Sequence, residues 1–178
     1  AFFVPQLAKL KDKVLIKGSI RGPLDNVSLS DFTFLYGKTL ALEADMRLQG
    51  LPNMESLLID ASIERFSASF DDVRDVGGAF IGRELYFSPK LVSLGIISYR
   101  GYVNGSLTDA SAVGEILTDA GNVYTDVHVV SDGLKYMQYK IDGKVKAWSF
   151  ELDKLLGKKS QLGNTSFSLD VGLNKKAD

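Results

Sequence analysis

The sequence predicts a mainly β fold: an elongated antiparallel array of repeats, with short helices between the repeat units. Three observations predict it. Apolar and polar residues alternate with period two in seven stretches. Helical spacing is confined to runs of one or two turns. One order of motifs occurs twice and begins a third time, the mark of a body built by stacking units in one direction.

The elements follow in chain order. Pro5, Leu7 and Leu10 are spaced as in a helical turn with proline at its start. Residues 14–20 and 32–36 alternate weakly and predict strands, and Tyr36-Gly37-Lys38 supplies the positive φ of a tight hairpin. The clearest strand is 40–49. Leu40, Leu42, Ala44, Met46 and Leu48 fall on one face, and Ala41, Glu43, Asp45, Arg47 and Gln49 on the other. Gly50-Leu51-Pro52-Asn53 reads as a wider loop before a weaker strand over 57–63. Asp71-Asp72-Val73-Arg74 predicts one turn of helix, its acids favoured at the positive N-terminus. Gly77-Gly78 reads as a strand bend or turn, and residues 73–87 otherwise carry little pattern.

Ser88-Pro89-Lys90-Leu91 begins a second short helix, with Ser88 as N-cap. Strands follow over 97–103 and 123–129. Between them lie the poorly patterned residues 106–117 and a turn at Ala120-Gly121-Asn122. Ser131-Asp132-Gly133 predicts another turn. In 137–146, Met137, Tyr139, Ile141 and Val145 alternate with Gln138, Lys140, Asp142, Lys144 and Lys146. Asp153-Lys154-Leu155-Leu156 starts a last helical turn. Strands that bury one face and wet the other are antiparallel-sheet strands.

The repeat is visible residue by residue. Pro5, Leu7 and Leu10 recur as Pro89, Leu91 and Leu94, and Gly18 and Gly22 as Gly101 and Gly105. Ile59-Asp60-Ala61 recurs as Ile141-Asp142-Gly143, and Phe66, Phe70 and Asp71 as Trp148, Leu152 and Asp153. Leu162-Gly163-Asn164-Thr165-Ser166-Phe167 resembles Leu94-Gly95-Ile96-Ile97-Ser98-Tyr99. The chain therefore reads as one continuous segment with units at 5–87 and 88–161 and a truncated third at 162–178, which predicts a natural protein continuing past Asp178. Its start at Ala1, without Met or a signal-peptide pattern, predicts a mature chain or an excised piece. Trp148, in the place of Phe66, is expected in a core or groove lining.

Composition narrows the function. In 178 residues, 21 Lys and Arg against 22 Asp and Glu leave a net charge of −1, which argues against a nucleic-acid partner and against attraction to anionic membranes. With 45% hydrophobic and 24% charged residues the chain packs rather than staying disordered. Zero cysteines remove disulfides, thiol nucleophiles and thiolate metal sites. The single histidine, His128, has Asp126 on its own strand face but no evident nucleophile, and reads as a surface or packing residue. Asp71, Asp72 and Asp75 lack calcium-loop spacing. Neither an enzyme nor a cofactor or metal is expected.

Lys17-Gly18-Ser19-Ile20-Arg21-Gly22-Pro23-Leu24-Asp25-Asn26, the alternating strand that runs to Gly50-Leu51-Pro52-Asn53, and Trp148-Ser149-Phe150-Glu151-Leu152-Asp153-Lys154-Leu155-Leu156-Gly157 resemble the repeat region of TamB-like proteins. These belong to the AsmA-like group of bacterial envelope proteins, here closest to the Bacteroidetes-type variant. The resemblance covers most of the chain but rests on glycine and hydrophobic patterns. It implies a long sheet folded into a taco-like groove across the periplasm, in a protein anchored in the inner membrane. It also implies phospholipid transport between the inner and outer membranes, with an outer-membrane β-barrel partner.

On that reading Leu40, Leu42, Met46, Leu48, Ile59, Ile63, Met137, Tyr139, Ile141 and Val145 line the groove and hold phospholipid acyl chains. The competing structural reading of the same residues is a core sealed between two sheet layers. Two further functions compete: a scaffold guiding outer-membrane proteins by strand pairing, and an extracellular adhesion or glycan-binding sandwich.

Overall fold

The computed structural model describes residues 10–81, 84–131, 138–156 and 164–175. Nine strands form one antiparallel sheet in chain order: β1 (Val14–Arg21), β2 (Asn26–Tyr36), β3 (Leu40–Gln49), β4 (Leu58–Ala68), β5 (Ile97–Ser106), β6 (Asp109–Thr118), β7 (Gly121–Ser131), β8 (Tyr139–Glu151) and β9 (Asn164–Lys175). At strand spacings of about 4.8 Å the sheet is roughly 38 Å across. The helices are α1 (Phe70–Ile81) after β4, α2 (Pro89–Val92) before β5 and α3 (Leu152–Leu156) after β8. β1 and β9 do not pair with each other, so the sheet stays open. The helical turn expected at Pro5 and Leu7 and the turn residues Asp132 and Gly133 lie outside the described residues.

The poorly patterned stretches hold two surprises. Residues 70–81 form a twelve-residue helix rather than one turn, and Gly77 and Gly78 lie inside it rather than at a bend. Returning chain explains the first glycine: a Cβ on Gly77 would come within 2.6 Å of Leu85 Cδ1. Packing of Val73 and Val76 onto the sheet outweighs the ~1 kcal/mol helix penalty of a glycine. Residues 109–118 form β6, whose apolar positions are Ala110, Ala112, Gly114 and Ile116. Three of the four are too small to register as hydrophobic alternation. Ser88 caps α2 as expected, its hydroxyl accepting from Leu91 N at 3.4 Å.

Register carries one apolar face across the sheet. One row crosses it as Ile20, Leu29, Met46, Ala61, Val103, Ala112, Val127, Gly143 and Val171. The next runs Phe32, Ala44, Ile63, Gly101, Gly114, Thr125, Val145 and Leu169. The opposite face is polar, as in the row Arg47, Asp60, Asn104, Ser111, His128 and Asp142. Bulges keep the apolar set on one side where the sequence slips phase. One lies in β2 at Ser30-Asp31, where Asp31 has φ 51° and its N–H donates to Asp45 Oδ1 at 2.8 Å.

The bulges also correct the expectation for Trp148. In β4 the extra residues fall between Ile63 and Phe66, so Phe66 joins the apolar face opposite Leu42. In β8 they fall between Ala147 and Phe150, with Ser149 at φ 54°. Trp148 therefore faces Asn122 on the polar side and is 38% exposed, while Ala147 and Phe150 take the apolar positions.

Candidate functional site

Among the described residues the apolar face is covered only at the ends of its strands. At one end α1 lays Val73 and Val76 over Phe34, Tyr36, Leu40 and Ala68. At the other, Leu51 and Leu57 from the β3–β4 connection close on Val27, Leu29, Met46 and Leu48. In the second half Phe70, Phe87, Leu94 and Leu152 pack on Ala120, Ala147 and Phe150, with Phe70 and Phe87 edge-to-face at 5.0 Å. Between these caps Val103, Ala112, Val127, Val129, Ile141 and Val145 are half-buried. Toward the outer strands exposure rises, to 70% at Ile20 and 54% at Leu173. The described strands all belong to one sheet, and no second sheet faces this surface among the described residues.

The residues expected to line a groove fall on this face wherever they are described. Leu42, Met46, Leu48, Ile59 and Ile63 are half-buried in the first half of the sheet, and Ile141 and Val145 in the second. Tyr139 is exposed at the start of β8. Leu40 is on the same face but enclosed beneath α1. Met137 lies outside the described residues. Sequence reasoning passed over Val103, Val127 and Val129 in the middle and Leu169, Val171 and Leu173 on β9. Alternation in 123–129 and 167–173 marks most of them.

The face offers little polar chemistry. Apart from the Tyr36 phenol, Thr125 is the one buried side chain with a polar group among the described residues, and its hydroxyl lies 3.4 Å from Gly114 O, to which it donates. Gly101 and Gly114 sit opposite each other, and the Tyr99 ring lies over both. Its hydroxyl reaches the carbonyl oxygens of Tyr102 and Val113, each at 3.1 Å. Burial pushes the Tyr99 phenol up in pKa. A ring across paired glycines supplies the apolar cover that missing side chains cannot.

Charges gather on the other face. Arg65 pairs with Glu43 at 3.1 Å, Arg100 with Glu115 at 3.8 Å and Lys140 with Asp142 at 2.6 Å. His128 meets Asp109 at 2.7 Å, rather than Asp126. Exposed pairs of this kind add at most about 1 kcal/mol each, and their effect is to keep that side wet. A depression of about 170 Å³ opens among Arg47, Gln49, Leu58, Asp60 and Asn104. It is smaller than ordinary ligand cavities and its walls are exposed. No helix among the described residues is long and apolar enough to cross a membrane. No protein-family model, curated protein or solved structure matches the chain, so the apolar face itself must carry the functional reading.

Proposed function

We propose that this chain is a segment of an apolar β-groove that holds phospholipid acyl chains in the periplasm, within a longer protein that moves lipid between the inner and outer membranes. The observation that supports it is the continuous apolar face, capped at the strand ends and open across the middle rows. Each acyl CH₂ taken from water onto such a face gains up to about 0.8 kcal/mol. A face of Val, Ala, Gly and Ile binds chains without reading a headgroup, and neighbouring rows of similar chemistry let a chain slide. The polar face stays in water. The likeness of the glycine and hydrophobic motifs to TamB-like repeats supports the envelope setting.

The test places a photoreactive residue at Val127, on the apolar face, and separately at Asp126, on the polar face, in protein mixed with phosphatidylethanolamine–phosphatidylglycerol vesicles. Lipid adducts at Val127 and none at Asp126 are expected. Equal capture at both positions, or none at Val127, overturns the groove. The same probe used in whole cells separates the runner-up: an adduct at Val127 to an outer-membrane β-barrel protein in place of lipid favours an assembly scaffold.

A further inference from the structure

We propose that α1 is a lid on one rim of the apolar face, latched by Asp72, and that it opens while the sheet stays folded. The inference rests on the apolar face being the working surface. The helix leaves β4 through Ser69 and is tied to the β2–β3 turn by polar groups. Asp72 Oδ2 accepts from Thr39 N at 3.0 Å, from Leu40 N at 3.1 Å and from the Thr39 hydroxyl. Ser69 N donates to Thr39 Oγ1 at 2.8 Å, and Tyr36 donates to Asp75 Oδ2 at 3.3 Å. The apolar hold of α1 on the Tyr36–Leu40–Ala68 cluster comes from Val73 and Val76.

The first turn of the matching helix in the second half is latched to the matching turn with opposite polarity: Lys154 Nζ donates to Asp119 O, beside the β6–β7 turn. Phe70 anchors the start of α1 among Leu94, Ala120 and Phe150, so the helix pivots there; beyond it only Val73, Val76 and the partly exposed polar groups around Asp72 hold it, and the latch sets how readily it opens locally. When α1 lifts, Phe34, Tyr36, Leu40 and Ala68 join the open rows, and the face lengthens at that rim.

The chain has no cysteine, so a single introduced thiol reports opening without background. Ala68→Cys places it beneath the lid, where Ala68 is 1% exposed; Ala61→Cys places it in the sheet away from α1, where Ala61 is 3% exposed. Asp72→Ala is expected to speed thiol labelling at Ala68→Cys by about tenfold or more and to leave Ala61→Cys unchanged, because a carboxylate hydrogen-bond network is lost at the lid alone. Thr39→Val, which removes only the hydroxyl, acts in the same direction by less. Equal acceleration at both thiols means that Asp72 holds the whole sheet, and no acceleration at Ala68→Cys means that it is no latch; either overturns the lid. No lipid enters this assay, so its result is independent of lipid capture at Val127.

Discussion

Tyr36 is 2% exposed and carries a hydroxyl into the cluster beneath α1. Burial pushes its phenol up in pKa, and the Asp75 carboxylate it donates to pushes the same way, against the backbone N–H groups of Lys11 and Asp12. The neutral form is thus the one the fold prefers. With a folded value above the unfolded ~10, this residue's contribution is complete below that pH and lost as pH rises from there through the folded value. Urea unfolding from about pH 8 to about pH 11 checks it: Tyr36→Phe is expected to flatten the alkaline fall in stability, and an unchanged slope refutes the assignment. Gly114 is a second residue with a sharp expectation. A Cβ there would collide with Arg100 O and lie 2.8 Å from both Gly101 Cα and Tyr99 Cε2, under the Tyr99 ring. Backbone cannot yield as a side chain does, so Gly114→Ala should cost about 1–3 kcal/mol in the same unfolding assay.

At the scale of elements, β8 shows what a bulge decides. Its displacement by two residues relative to β4 turns Trp148 to the polar face and leaves Ala147 and Phe150 with the apolar work. The single tryptophan should therefore emit as a half-exposed indole, be quenched by iodide, and keep its emission maximum when lipid vesicles are added. A blue-shifted emission that iodide leaves untouched would place it on the apolar side instead. Such phase slips are where reading from sequence ends. The alternation in β3 and in 139–145 is visible because large apolar and charged residues take turns. In β6 the apolar side is Ala110, Ala112 and Gly114, which look like nothing in particular until a register sets them beside Val127 and Val103. In α1 the glycines argue against a helix, and only contact with the sheet and Leu85 reverses that. The candidate face was legible as a set of residues. That Leu40 is covered and Val127 is not depends on where α1 lands, which no local pattern encodes.

For the whole molecule, the consequence of the topology is that every strand pairs only with its neighbours in the chain. Stability is then close to a sum of adjacent pairings, with cross-strand side-chain pairs taking the place of a two-layer core. The pairings are not equal. β3 and β4 have partners on both sides and lie beneath the Leu51–Leu57 cap and the α1 cluster. Among the described residues β1 and β9 have one partner each, and their apolar side chains Ile16, Ile20, Leu169 and Leu173 are exposed. Amide hydrogen exchange should accordingly be slowest in β3 and β4 and quicken toward β1 and β9. Unfolding followed by Trp148 in β8 should precede loss of the β signal from the first half of the sheet. Uniform protection across all nine strands, with coincident transitions from both probes, would mean one cooperative unit, and would require tertiary contacts beyond the three clusters to tie distant strands together.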